Sequence, residues 1–293
     1  SFLQKYGLKS EDISKISSHY GNNALALLRK NPYLLCMDGF ASFKLCDKIG
    51  KDLGIAADAY CRLSCAMKVV LKSMAAAKGH TYLTEELLIE DSNEFFRENA
   101  VMECTFSKEL LAERLRNLIA GGEIVYEEGR FYHPDRYQNE KDTADILLRR
   151  AGRPSRYENV DESIIDECLD LVQCEIGILL DSLQLEAVKS AIKNSTMVIT
   201  GGPGSGKTTL LNTFIKTVEY MAQKIGMPKP SFSLAAPTGM ASKRMAASTG
   251  KEARTIHKLF EIHYESLMNS TEIKQLETDI VILDEVSMLD IDV

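Results

Sequence analysis

The stretch "VITGGPGSGKTTLLNTF", residues 198–214, joins a short apolar run to a glycine-rich turn and then to a segment with helical spacing. The pattern predicts a strand over 198–200, a turn over 201–207 and a helix from Thr208. Gly201, Gly206, Lys207 and Thr208 fit the Walker A spacing in the strand-then-helix setting that motif requires. Glycines let consecutive N–H groups turn toward a phosphate, and the helix N-terminus adds about half a positive charge. On this reading Gly202, Pro203, Gly204, Ser205, Gly206 and Thr209 line the phosphates. Lys207 reaches the outer ones, and Thr208 offers a hydroxyl to Mg²⁺.

A phosphate loop needs a second half, and "DIVILDEVSMLD" (279–290) supplies it. An apolar strand ends in two acids, of which Asp284 is suited to hold Mg²⁺ and Glu285 to orient and deprotonate an attacking water. Between the two blocks, "FSLAAPTGMASKRM" (232–245) predicts another strand, over 232–236, and a helix starting near Thr238 or Gly239. Strands at 198–200, 232–236 and 279–283, separated by helices, imply a parallel sheet with the nucleotide beyond the strands' C-terminal ends. The fold class expected here is therefore an α/β P-loop NTPase. Such sheets serve kinases, GTPases, transporters and motors alike.

Upstream the pattern is mainly helical. "EDISKISSHYGNNALALL" has helical apolar spacing, with Gly21 as a stop and Asn22 or Asn23 as a cap for the next helix. "MDGFASFKLCDKIGKDLGI" repeats the plan with Gly39, Gly50 and Gly54. The pair resembles a tandem helix-hairpin-helix module, whose turn exposes N–H groups to a DNA phosphate, although Ala41 stands where a second glycine is expected. Further on come helical spacing from Tyr60, a Thr84 cap, the helix "SKELLAERLRNLI", and the alternating "GEIVYEEGRFYH" broken by Glu128-Gly129, a hairpin signal. Three helices and a hairpin predict a winged-helix-like unit, an architecture used for DNA and for protein partners. "DESIIDECLDLVQC" predicts an acidic amphipathic helix with Ile164, Ile165, Cys168, Leu169 and Val172 facing inward. The expected order is a helix-hairpin-helix-like region over 1–56, a winged-helix-like domain over 57–150, an acidic linker helix over 151–181 and the ATPase domain over 182–293.

Composition narrows the class. With 45% hydrophobic and 26% charged residues, the chain of 293 is ordinary globular material and offers no run of about 18 apolar residues for a membrane. The first residues form no charged-then-apolar leader, so the expected setting is the cytoplasm and the expected object a piece of a longer protein. The seven cysteines are scattered, without Cys-x-x-Cys spacing, and read as reduced core thiols. The net charge of -7 equals the balance of residues 155–181, which hold Glu158, Asp161, Glu162, Asp166, Glu167, Asp170, Glu175 and Asp181 against Arg156. The remainder is neutral overall, with Lys243, Arg244, Lys251, Arg254 and Lys258 clustered around Glu252. That cluster reads either as a phosphate-binding patch or as a solvated face.

Taken together, "GGPGSGKTT", "AAPTGMASKRMAASTGKEARTIHKLF" and "ILDEVSMLD" resemble motifs I, Ia with Ib, and II of the RecD-like helicases of superfamily 1, relatives of the exonuclease V alpha subunit. "LDSLQLEAVKSAI" resembles their Q motif, which implies Gln184 at the adenine edge. "YGLKSEDISKISSHYG", "GHTYLTEELL" and "GEIVYEEGRFYH" resemble the N-terminal extension of the stand-alone RecD-like type. The resemblance implies a RecA-like sheet and ATP with Mg²⁺. It further implies 5′ to 3′ movement on single-stranded DNA and unwinding at duplex junctions in DNA repair or recombination, with possible repair-protein partners and no membrane. It puts Pro237, Thr238, Gly239, Lys243, Arg244, Thr255 and His257 on the DNA path, His257 either touching DNA or ordering its loop. Ser287 and Met288 follow the acids as in the family. The later family motifs, including those with arginine fingers, are not found in this sequence, and Met240 stands where the family often has a base. Weak nucleotide binding and slow hydrolysis are therefore expected of this chain by itself. The competing readings are a P-loop ATPase acting as a switch or loader on proteins, and a nucleic-acid module with a vestigial nucleotide site.

Overall fold

A computed structural model describes residues 2–102, 105–202, 204–261 and 276–291. Two compact units divide the chain, one of residues 1–142 together with those from Asp290 on, the other of residues 143–289.

The first unit begins with α1 (Ser10–Tyr20), stopped by Gly21 at φ 67°, and α2 (Ala24–Lys30). Asn23 occupies the N-cap position of α2 without a side-chain cap bond, because a 3-10 turn over Gly21–Asn23 already leads into that helix. Next come α3 (Leu34–Met37) and α4 (Phe43–Asp52), joined by a tight turn in which the N–H groups of Phe40 and Ala41 both donate to the Leu35 carbonyl. Only Gly39 in that turn has positive φ, at 76°, so the turn accommodates Ala41 without strain. Ser42 caps α4 by accepting the Leu45 N–H.

These helices are fixed to the rest of the unit by a buried charge. Asp47, on α4, accepts from the Tyr33 hydroxyl (2.8 Å), from Arg62 Nε (2.6 Å) and Nη2 (3.2 Å), and from the Val101 and Met102 N–H groups (2.6 and 3.1 Å). Arg62 donates its third bond to the Ala57 carbonyl, and its guanidinium lies over the rings of Phe96 and Phe106. Both side chains are fully buried. Burial alone would raise the Asp47 pKa, but Arg62, the Val101 N–H and the Tyr33 hydroxyl outweigh it and hold the carboxyl below its usual range.

The remainder of this unit runs α5 (Tyr60–Val69), a π turn (Val70–Met74), α6 (Ala75–Ala77), β1 (Tyr82–Leu83), α7 (Glu85–Asn99), α8 (Lys108–Ala120), β2 (Val125–Glu127) and β3 (Arg130–Tyr132). Thr84 and Ser107 cap α7 and α8. The three strands form an antiparallel sheet in the order β1-β3-β2, and the β2–β3 turn has both Glu128 and Gly129 at positive φ, as a tight hairpin needs. A helical stretch, the short strand β1, two further helices and a hairpin follow in that order, the succession expected of a winged-helix-like unit. Leu63, Met67, Leu88, Phe96, Leu111, Leu115 and Leu118 fill its core.

The division between units falls inside α9 (Pro134–Ala151). In the second unit α10 (Glu162–Ile176), the acidic helix expected as a linker, packs its apolar stripe into a core with α11 (Ser182–Lys193) and α12 (Lys207–Lys224). Ile165, Cys168, Leu169 and Val172 are buried, while its carboxylates lie outside the stripe. The sheet is parallel in the order β5-β4-β6, formed by β4 (Phe232–Ala236), β5 (Ala253–Thr255) and β6 (Ile280–Leu283). Between them lie α13 (Gly239–Thr249) and α14 (Ile256–Leu259).

One sequence expectation is overturned. Residues 198–200 form no strand, and the third strand is Ala253–Thr255 instead. A strand exists by its ladder partner, and β4 already has β5 on one edge and β6 on the other. The apolar run before the phosphate loop pairs with no described strand and leaves Val198 77% exposed.

Candidate nucleotide site

The loop owes its shape to three glycines. Gly204 and Gly206 lie at φ 76° and 78°, where side chains are strained, and Gly206 is the left-handed entry to α12. A Cβ on Gly201 would meet Ser205 Oγ at 2.5 Å, and one on Gly206 would meet Gln184 Nε2 at 2.9 Å. Lys207 and Thr208 open α12 and are exposed, so both can reach a ligand at the helix N-terminus. Lys207 Nζ curls back onto the loop, donating to the carbonyls of Gly201 (2.6 Å) and Gly202 (2.9 Å). Thr209 is half-buried in the first turn of the helix, and Pro203 lies outside the described residues.

Gln184 is brought to this loop by α11. Asp181 and Gln184 form a capping box, the side chain of each accepting the other's backbone N–H. The Gln184 Nε2 then donates to the Ser205 carbonyl at 3.2 Å. Its amide is thus committed to the cap and the loop.

The acidic pair follows β6. The Asp284 N–H continues the parallel ladder by donating to the Ala235 carbonyl (3.0 Å), which fixes the start of the turn. Glu285 then adopts φ 53°, ψ 37°, an uncommon conformation for a non-glycine residue, and its N–H donates to Asp284 Oδ1 at 2.9 Å. The turn leaves Glu285 exposed and Asp284 half-buried, and Ser287 and Met288 follow in a 3-10 turn. The other end of β6 is clamped by Asp279, which accepts from the Ser231 N–H and hydroxyl and from Arg156 (2.7 Å). Those Ser231 bonds, with Arg156, hold the Asp279 pKa below its usual value. No spacing rule pointed to this clamp, because its members are far apart along the chain.

Because the strands are parallel, the residues that follow them gather along one edge of the sheet: Pro237, Thr238 and Gly239 after β4, Thr255 and His257 at and after β5, Asp284 and Glu285 after β6. Leu211, Phe214 and Ile215, from the N-terminal half of α12, share a core cluster with Leu234 and Ile282, which lays the phosphate-loop end of that helix toward the same edge. Thr238 and Thr255 are N-caps, accepting from the Ala241 and Lys258 N–H groups, so each hydroxyl already serves a helix. His257 is half-buried in α14. Lys243 and Arg244 are exposed on α13, Arg244 resting against Met240 Sδ. Lys251 is paired with Glu219 and Arg254 with Glu252, so the basic cluster is more neutralised than its sequence count suggests.

A glycine-shaped loop at a helix N-terminus and an Asp–Glu pair beyond a parallel strand define a P-loop NTPase. In agreement, residues 184–293 match the family model described as an AAA domain, and residues 1–82 match that of the ATP-dependent RecD2 DNA helicase HHH domain. Within the P-loop class the chain is similar to RecD-like helicases over nearly its whole length. It is 26% identical to the ATP-dependent RecD2 DNA helicase of Deinococcus radiodurans over 98% of this chain and 39% of that protein. It is 28% identical to RecBCD enzyme subunit RecD of Mycolicibacterium smegmatis over 46% of this chain and 29% of that one. With the ATP-dependent DNA helicase dda of Enterobacteria phage T4 it shares 35% identity over 37% of this chain and 24% of the phage protein. The chain thus spans about two fifths of the length of the Deinococcus relative. Among the described residues no helix is long and apolar enough to cross a membrane.

Proposed function

We propose that this chain carries the ATP site and part of the DNA path of a helicase that hydrolyses ATP to move 5′ to 3′ along single-stranded DNA and open duplex junctions. The observation that carries this reading is the shared sheet edge, where the acids after β6 and the family's DNA-facing residues after β4 and β5 stand side by side. Because β6 and β4 are direct neighbours, a change at Asp284 or Glu285 has no intervening strand to cross before it reaches Thr238. The domain order we assign is a helix-hairpin-helix-like region (1–56), a winged-helix-like domain (57–150), an acidic helical segment (151–181) and a first RecA-like domain (182–293).

The loop's fit to phosphates rests on its backbone: Gly204 and Gly206 hold the positive φ that a curled glycine-rich turn needs, and Gly202 has open space where a side chain would stand. Lys207 exchanges the Gly201 and Gly202 carbonyls for phosphate oxygens, a swap of neutral acceptors for charged ones that favours the bound state. Thr208 and Asp284 are the hard oxygen donors suited to Mg²⁺, which neutralises phosphate charge when bound. Glu285 accepts the proton of the attacking water, from a position just past β6 where its backbone is left-handed. Lys243 and Arg244 meet the DNA backbone, while Thr238 and Thr255 position the helices that carry or adjoin those contacts.

The test is ATP hydrolysis with and without single-stranded DNA, measured on a chain that also carries the later helicase motifs. Stimulation by DNA that disappears in Lys207→Ala is expected. ATP binding through Lys207 with no response to DNA would replace the helicase reading by a switch acting on protein partners.

A further inference from the structure

The winged-helix-like unit carries a groove that the nucleotide chemistry does not use. It lies between α8 and the β2–β3 hairpin and has a volume of about 370 Å³, at the small end of ligand pockets. Ala112, Leu115 and Ile119 form one wall, and Phe131 and Tyr126 the other. Tyr126 and Phe131 are directly opposed across the hairpin with ring centroids 4.9 Å apart, so both rings lie on the same face of the sheet. Leu115 and Phe131 are buried at the bottom, whereas Tyr126 is 52% exposed at the lip, unusual for so large a ring.

The charges at the lip are unbalanced. Glu85 and Glu86, in the first turn of α7, line the groove against a single base, Arg116, and neither carboxylate has an ion-pair partner among the described residues. Acids in a first helical turn are ordinary, and alone would mean only helix stabilisation. Here they stand at the mouth of an apolar groove with an exposed aromatic ring, and the hairpin tip next to it adds the exposed Glu127 and Glu128 against Arg130, which leaves the rim acidic. A phosphate backbone would be repelled by that rim, since nucleic-acid binding needs an excess of Lys and Arg at the contact. An apolar side chain flanked by cations satisfies both features at once.

We infer that the groove between α8 and the hairpin docks a peptide segment of a partner protein, one that inserts a leucine or aromatic anchor and lays a basic flank across Glu85 and Glu86. Arg116 on the opposite wall disfavours a uniformly basic peptide and selects one whose other flank is neutral or acidic. The site goes beyond the nucleotide reading and shares no residue with it.

The probe is a short fluorescein-labelled peptide, Arg-Arg-Arg-Leu-Phe-Gly-Ser-Glu, titrated into the whole chain and followed by anisotropy. Saturable binding is expected, weakened about fivefold or more by the double substitution Glu85→Gln and Glu86→Gln, by Tyr126→Ala, or by replacing Leu-Phe in the peptide with Gly-Gly. All three protein positions are at the groove's lip or exposed, and unchanged thermal unfolding of the variants checks that the unit stays folded. Absence of saturable binding, or an affinity unchanged in the double variant, overturns the inference. So does an oligonucleotide whose binding weakens in Arg116→Gln and strengthens in the double variant.

Discussion

Asp47 in the first unit and Asp284 in the second are treated by the fold in opposite ways. Asp47 is fully buried and takes bonds from Tyr33, Arg62, Val101 and Met102, which leaves no oxygen for a ligand. Asp284 is half-buried and accepts one bond, from the N–H of the residue that follows it. A carboxylate saturated by its own protein is a structural tie, and one left with an open oxygen at the end of a parallel strand is suited to a metal. The same contrast separates Arg62, enclosed by two rings and three acceptors, from Lys207, whose acceptors are loop carbonyls that a phosphate can outcompete.

The contrast yields predictions of decreasing size. In a chain able to turn over ATP, Glu285→Gln should lower the hydrolysis rate by about 10²- to 10⁴-fold while nucleotide binding persists. A retained rate would remove Glu285 from the role of base. Asp47→Ala should instead cost about 3–5 kcal/mol of stability, read from urea unfolding of the first unit, because it strands Arg62 in the core. Asp284→Ala measured in the same way should change stability by less than about 1 kcal/mol. If the two aspartates cost the same, the division into tie and site fails.

The pH dependence follows from the same pair. Since the Asp47 pKa is depressed in the folded state, its contribution to stability is present above the unfolded carboxylate value of about 3.9 and is lost as pH falls through the lower folded value. Acid unfolding of the first unit should therefore be less steep in Asp47→Asn than in the parent, followed by circular dichroism between neutral pH and about pH 2. Smallest is the DNA term. Neutralising Lys243 and Arg244 should flatten the slope of log affinity against log salt by about 1.4, at ~0.7 per single-strand contact, and an unchanged slope would place the DNA elsewhere.

How much of this was legible beforehand depended on whether the signal was local. The Gly-rich turn, the cap at Thr84, the helix start near Thr238 or Gly239, the Glu128-Gly129 hairpin and the strand into Asp284 each declare themselves within a few residues, and the structure has them where the spacing put them. The strand expected at 198–200 failed for the opposite reason: apolar character suggests a strand, but only a partner makes one, and partners are a property of the whole sheet. Ala253–Thr255 went unread because three residues with an arginine among them show no alternation to detect. Asp47 gave no hint of its burial, since a charged residue on an amphipathic helix is normally a solvated one and Arg62 lies on another helix. The Asp279 clamp and the Gln184 bond to Ser205 were hidden in the same way.

The proposed nucleotide site stands or falls with residues 201–209 forming a working phosphate cradle whose lysine is released from its own loop to hold a nucleotide. Titration of the chain with a fluorescent ATP analogue, with and without Mg²⁺, tests it most directly. Saturable binding that strengthens with Mg²⁺ and is lost in Lys207→Ala is the expected result. Binding that is indifferent to Lys207, or no binding with the chain folded, would contradict it.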